Sequence, residues 1–185
     1  MGGIFGGIRA GSEALEGDAS FWTGNKTLDT SKGVGAHSAA AKSIVNQGTI
    51  RAKYAGKYED VNVYEHKSLG NGRYSSGLTL PPDTIIVGKG AYAVKNAFNE
   101  TYDLFKHEFG HILQSREPFV GVKGFYKIIA PESLATSNTS FADSYWTETW
   151  ANHLSKQYFG YGFYDSVRFP VKDISAFNRT KFLFK

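Results

Sequence analysis

The chain has 185 residues, of which 41% are hydrophobic and 21% charged, with a formal net charge of +4; this ordinary balance fits a single globular domain with a real core. It has no cysteine, which excludes a disulfide framework, a cysteine-ligated zinc and a thiol nucleophile. No run of about 18 apolar residues occurs, so no membrane-spanning helix is expected.

In chain order, the first 48 residues are rich in Gly, Ala, Ser and Thr. The opening MGGIFGGIRAGSEALEG lacks the charged start and continuous apolar stretch of a secretory signal. GGIFGGIRAG has the glycine spacing of a helix-packing zipper, but it is short and carries Arg9. The expectation is therefore a flexible Gly/Ala-rich arm or junction over 1–48 and a folded domain over 49–185. Ala36 to Gly48 has the pattern of a short helix closed by Gly48, with His37 standing alone in it. Tyr58 to His66 alternates like a strand, with Val61, Val63 and Glu65 on one side and Asn62, Tyr64 and His66 on the other. Gly70 to Gly77 reads as a turn or loop. Asp83 to Gly90 reads as a short strand, and Pro81 and Pro82 before it mark either an edge position or a strand start.

Asn99 to Glu117 reads as a helix. Asn99 serves as N-cap, Glu100 and Asp103 suit the positive end, and Leu104, Phe105, Phe109, Ile112 and Leu113 recur at helical spacing until Pro118. Phe119 to Ser144 reads as a mixed apolar and loop connection with room for one short element. A second helix runs from Tyr145 to Phe159 and ends at Gly160. The remainder is irregular or extended. Its basic residues Arg168, Lys172, Arg179, Lys181 and Lys185 are mixed with Phe177, Phe182 and Phe184. That mixture reads as a solvated face with aromatics turned inward, so no nucleic-acid partner is expected.

The stretch that carries chemistry is FKHEFGHILQS, Phe105 to Ser115. Residues four apart on a helix differ by only about 40° and lie one turn apart, so His107 and His111 can aim two imidazoles at one ion. Glu108 projects from the edge of that face. It is badly placed as a third ligand but can reach a water on the metal. Neutral imidazoles hold zinc, zinc acidifies water, and a carboxylate takes the proton. The bland alternative is a pair of core histidines satisfied by hydrogen bonds. Against it, a glutamate buried beside two histidines without a metal is a costly charge. The expected cofactor is Zn2+ and the expected general base is Glu108.

Catalytic zinc takes a third protein ligand. Candidates are His37 and His66 upstream and Asp143, Glu148 and His153 downstream. The metzincin pattern is excluded, because Gln114 and Glu117 stand where it needs a glycine and a histidine. Asp143 precedes the second helix as a cap or loop residue. His153 lies five positions after Glu148, about 140° around the helix, so the two cannot serve one ion. The segment ETWAN, Glu148 to Asn152, resembles the Glu-x-x-Ala-Asp pattern of the gluzincin metallopeptidases. That resemblance implies Glu148 as third ligand on the second helix. Ala151 is the small residue that lets the two helices approach. Asn152 stands where Asp is typical, sharing the face of Glu148 and holding a ligating histidine from behind. The expected fold class is α+β, a small zincin-like domain with a short sheet and an active-site helix crossing a second, ligand-bearing helix.

Over about residues 78–162 the resemblance is more specific. His107-Glu108-Phe109-Gly110-His111 with Gln114-Ser115, and Trp146-Thr147-Glu148-Thr149-Trp150-Ala151-Asn152, resemble the C-terminal metallopeptidase-like toxin domains of bacterial RHS-repeat polymorphic toxins. The resemblance implies a hydrolase that is secreted as part of a larger toxin. It would be cleaved free and act as an effector on a protein or peptide substrate in the target cell, with a cognate immunity protein as partner. A tyrosine among Tyr145, Tyr158, Tyr161 and Tyr164 would stabilise the oxyanion. The strand Asp83 to Gly90 reads either as an edge that would take an extended peptide as an added strand or as an ordinary core strand. Two alternatives stand beside the peptidase. One is a zinc-stabilised non-catalytic binding domain. The other is a non-peptidase zinc amidohydrolase, for which the missing cysteine removes the deformylase pattern.

Overall fold

The computed structural model describes residues 24–34, 39–72, 75–92 and 100–160. The glycine-rich start, His37, the Asn99 cap, Tyr161, Tyr164 and the basic tail lie outside the described residues. The fold is α+β, with helices packed on both faces of one mixed sheet.

Five strands make the sheet: β1 (Asn25–Asp29), β2 (Thr49–Tyr58), β3 (Val61–Glu65), β4 (Gly77–Leu80) and β5 (Thr84–Val87), in the order β1-β2-β3-β5-β4. Among these strands β3 and β5 pair in parallel, and the other neighbours are antiparallel. Strand side chains alternate between faces, and the alternation sorts the core into layers. Val61, Val63, Ile85 and Val87 point to one layer, and Tyr64, Leu78, Leu80 and Ile86 to the other. The split between Val61 and Val63 on one side and Tyr64 on the other agrees with the sequence pattern. The chain passes from the end of β1 to the outer edge of β4 in about five residues, a span only a curled sheet allows.

The second layer is built on α1 (Ala39–Gln47), whose Ala41 and Ile44 are buried against the sheet; Gly48 closes it at φ 76°. The first layer receives α2 (Glu100–Arg116), which lays Leu104, Phe105, Phe109 and Ile112 on Val61, Val63, Ile85 and Val87 of the sheet. Tyr58 meets the rings of Phe105 and Phe109 edge-on, each 5.3 Å away. Fully burying each large apolar side chain contributes about 1.5–3 kcal/mol. Arg116, at the end of α2, pairs with Asp60 in the β2–β3 turn at 2.6 Å. α5 (Trp146–Phe159) crosses α2 and ends at Gly160 with φ 93°.

Four expectations change. Residues 25–34 and 39–47 are not an arm: β1 pairs along its length with β2, and Leu28 and Ile44 sit in the core, so the folded unit begins before residue 49. The strand read over Asp83 to Gly90 is not an edge. β5 is paired on both sides, and the prolines mark its start, where the missing amide hydrogen costs no ladder bond. The strand reading that began at Tyr58 missed β2, which ends there. Phe119 to Ser144 is mostly helical: α3 (Gly121–Gly124), a π turn (Phe125–Ile129) and α4 (Ala130–Thr136) follow without a break. Pro131 lacks an amide hydrogen and crowds the preceding turn, and the helix widens into the π turn immediately before it.

Candidate metal centre

α2 presents His107, Glu108 and His111 to the interior, each with no exposed surface. α5 brings Glu148 to them from the facing side. Glu148 Oε2 lies 3.3 Å from His107 Nε2 and 3.2 Å from His111 Nε2. One ligand atom from each of the three residues lies within 4.8 Å of the others, so this buried cluster could hold a metal ion. The approach depends on Gly110. A Cβ there would lie 2.2 Å from the carbonyl oxygen of Ala151, so the two helices touch backbone to backbone. The expected role of Ala151 at the crossing agrees with this contact, and Gly110 is its counterpart.

The imidazoles are fixed from behind. Gln114 Nε2 donates to Thr147 O at 2.6 Å, which turns Gln114 Oε1 toward His111 Nδ1 at 2.8 Å. Oε1 can only accept, so His111 carries its proton on Nδ1. His107 Nδ1 likewise faces Asn152 Oδ1 at 2.6 Å, as expected for Asn152. Both Nε2 atoms are thereby left to face Glu148, the tautomer that metal ligation needs. Glu148 is anchored too: Ser133 Oγ donates to its Oε1 at 2.5 Å and Thr147 Oγ1 at 3.0 Å. Burial pushes the Glu148 carboxyl up, but protonated imidazoles, through the charge of His111 and Nε2–H hydrogen bonds from both rings, would hold it well below the usual carboxylate range. It is an anion in a dry site, and such an anion requires positive charge beside it. Protonated imidazoles would supply that charge; with neutral ones, a divalent cation at the point where the three ligand atoms converge does so. The donor set fits a metal.

Glu108 stands against β4. Thr79 Oγ1 donates to Glu108 Oε2 at 2.6 Å and to the Glu108 carbonyl oxygen at 3.0 Å. A Cβ at Gly77 would fall 2.2 Å from Glu108 Oε1, so only glycine leaves the carboxylate its place.

The other candidates sit elsewhere. His66 Nδ1 accepts from Ser68 N at 3.3 Å and caps the turn Lys67–Leu69. Asp143 is exposed in the turn Ala142–Ser144. His153 is not part of the cluster. Tyr145 donates its hydroxyl to Glu132 and Tyr158 to Glu59, so neither serves an oxyanion here. A shallow groove lined by Leu113, Arg116, Leu154 and Tyr158 includes none of the cluster residues.

Sequence reasoning missed Gln114, Thr147, Ser133, Thr79, Gly77 and Gly110. Gln114 was legible, since it lies three residues after His111 on the same helix face. Thr79 and Ser133 come from elements with no local tie to the histidines, and nothing in their own neighbourhoods marks them. No family model, curated protein or solved structure matches the chain. The reading therefore rests on the fold, the side-chain cluster and the motifs.

Proposed function

We propose that the chain is a zinc-dependent endopeptidase with a gluzincin-type ligand set, acting as the effector domain of an exported toxin. The observation that supports this is the convergence of His107, His111 and Glu148, each oriented from behind by its own hydrogen-bond partner, with Glu108 beside them on the same helix. Two imidazoles and one carboxylate are a donor set suited to zinc, which when bound would acidify a water and polarise a carbonyl oxygen. His107, His111 and Glu148 hold the ion. Ser133 and Thr147 occupy Glu148 Oε1 and leave Oε2 toward the imidazoles. Glu108, steadied by the Thr79 hydroxyl, accepts the proton of the attacking water and returns it to the leaving amine nitrogen.

The toxin context rests on the resemblance of the two helical motifs to RHS-repeat toxin domains. With it come a protein or peptide substrate, action in a target cell and a cognate immunity protein. The experiment is Glu108→Gln: zinc content stays, and hydrolysis of a labelled protein substrate falls by about 10²–10⁴-fold. Undiminished hydrolysis in that variant would overturn the mechanism.

A second reading, a zinc-stabilised domain without catalysis, is favoured by the complete burial of His107, Glu108 and His111. It predicts bound zinc with no hydrolysis, and toxicity that Glu108→Gln leaves intact.

A further inference from the structure

The strand that holds Glu108 is already paired on both of its edges at Thr79. The inner edge of β4 pairs with β5, and its outer edge is taken at Thr79 by the chain's own Val34. Val34 N donates to Thr79 O at 3.0 Å, and Thr79 N donates to Val34 O at 2.5 Å. Thr79 is also the residue whose hydroxyl holds Glu108. Partners directly opposite in an antiparallel bridge project to the same face. The Val34 side chain therefore follows that of Thr79 toward α2, where it is fully buried among Val120, Phe125, Ile129 and Trp150. The Phe125 ring centre lies 6.4 Å from that of His111. Trp150 stands on α5 two residues from Glu148 and two from Asn152.

An extended backbone thus lies on the strand that holds the general base and drops a branched aliphatic side chain into an apolar pocket next to a ligand. Peptides bind sheet edges in this way, with main-chain pairing for affinity and a side-chain pocket for specificity. We propose that the outer edge of β4 and the Val34 pocket form the substrate subsite for an extended peptide bearing a branched aliphatic residue, and that Gly33–Val34 occupy it in the closed form. This rests on the peptidase reading. It makes the folded chain self-blocked until its own segment is displaced. It also moves the peptide edge from β5, which is interior, to β4.

The test uses the full chain carrying Glu108→Gln, so that a bound peptide is not consumed. The probe is a fluorescein-labelled hexapeptide of the chain's own sequence Thr30 to Gly35, with a second probe in which Asp replaces its valine. Two further substitutions displace the resident segment by different means. Val34→Ala empties the pocket. Gly33→Val adds a branched side chain where even a Cβ would lie 2.7 Å from Leu78 Cγ, so the segment must shift. Each is expected to bind the valine probe at least about tenfold more tightly than Glu108→Gln alone, a difference of about 1.4 kcal/mol. Binding should be saturable and accompanied by a change in tryptophan emission. The Asp probe should bind at least about tenfold more weakly. If Gly33→Val does not fold, Val34→Ala carries the comparison. Equal affinity of the folded variants and their parent would overturn the proposal and leave Gly33–Val34 as a closure of the sheet. Tight binding without cleavage by the variants that retain Glu108 would sink the peptidase but keep the subsite. Cleavage with no gain in binding would do the reverse.

Discussion

The two faces of the sheet hold two different interiors. Under α1 the core is Leu28, Ile44, Ile50, Leu69, Leu78 and Ile86, with no buried charged side chain among the described residues there. On the other face, where α2 and α5 cross, three of the most deeply buried side chains are His107, Glu108 and His111, joined by Glu148, Gln114 and Asn152. The apolar layer stabilises the fold through area removed from water. The α2 face has such a core too, in Val61, Val63, Phe105, Phe109 and Ile112, but the polar cluster set beside it gains little that way. Each group there is costly to bury, and Thr79, Ser133, Thr147, Gln114 and Asn152 are spent on orienting the cluster. A chain selected only for stability would repeat the α1 core on both faces. The contrast marks the α2–α5 crossing as the candidate site.

Removing the metal should separate the two layers most. With free zinc at a thousandfold its dissociation constant, binding adds about 4 kcal/mol to folding stability. Chelation should cost about that much in urea unfolding and speed amide exchange in α2 and α5 more than in α1. Equal loosening of α1 would make the layers one cooperative unit and break the comparison. Ile86→Ala, in the fully buried apolar layer, should lose about 2–5 kcal/mol of stability with zinc content unchanged. A loss of zinc there would show that the layers are coupled. Gln114→Ala or Asn152→Ala should show the converse: about 10–100-fold weaker zinc binding, measured by competition with a chromophoric chelator, with a smaller change in apo stability.

The smallest effect belongs to the Asp60–Arg116 pair, whose side chains are 71% and 35% exposed. The hydrogen bond from Arg116, opposed by slight burial and helped by the Arg116 charge, holds the Asp60 carboxyl below its usual 3.8. Its folded value is the lower one. The pair's stabilisation is therefore complete above the unfolded value and is lost as pH falls through the folded value. Asp60→Asn should cost less than about 1 kcal/mol at neutral pH, with the difference vanishing in acid. A difference that persisted in acid would assign the effect to packing.

The site was more legible in the sequence than the fold around it. His107 and His111 share a helix face by spacing alone, and the ETWAN resemblance points to Glu148 and Asn152. Both helices have clear stops, at Pro118 and Gly160. What stayed hidden depends on distant contacts. β1 finds its partner β2 only across the intervening α1; β4, though joined directly to β5, is only 4 residues long, and Thr79 matters only because β4 packs on α2. The run through α3 and α4 was masked by Gly121, Gly124 and Pro131, residues that weaken a helix locally but are carried here by packing on Trp150 and Val34. The glycine-rich look of the first 48 residues hid a strand and a helix that the core requires.

The most direct test is the zinc content of the purified chain and of Glu148→Ala, prepared side by side and measured by elemental analysis. The account predicts about one zinc per wild-type chain and a marked loss in the variant. Full retention in the variant, or no zinc in the wild type, would contradict it.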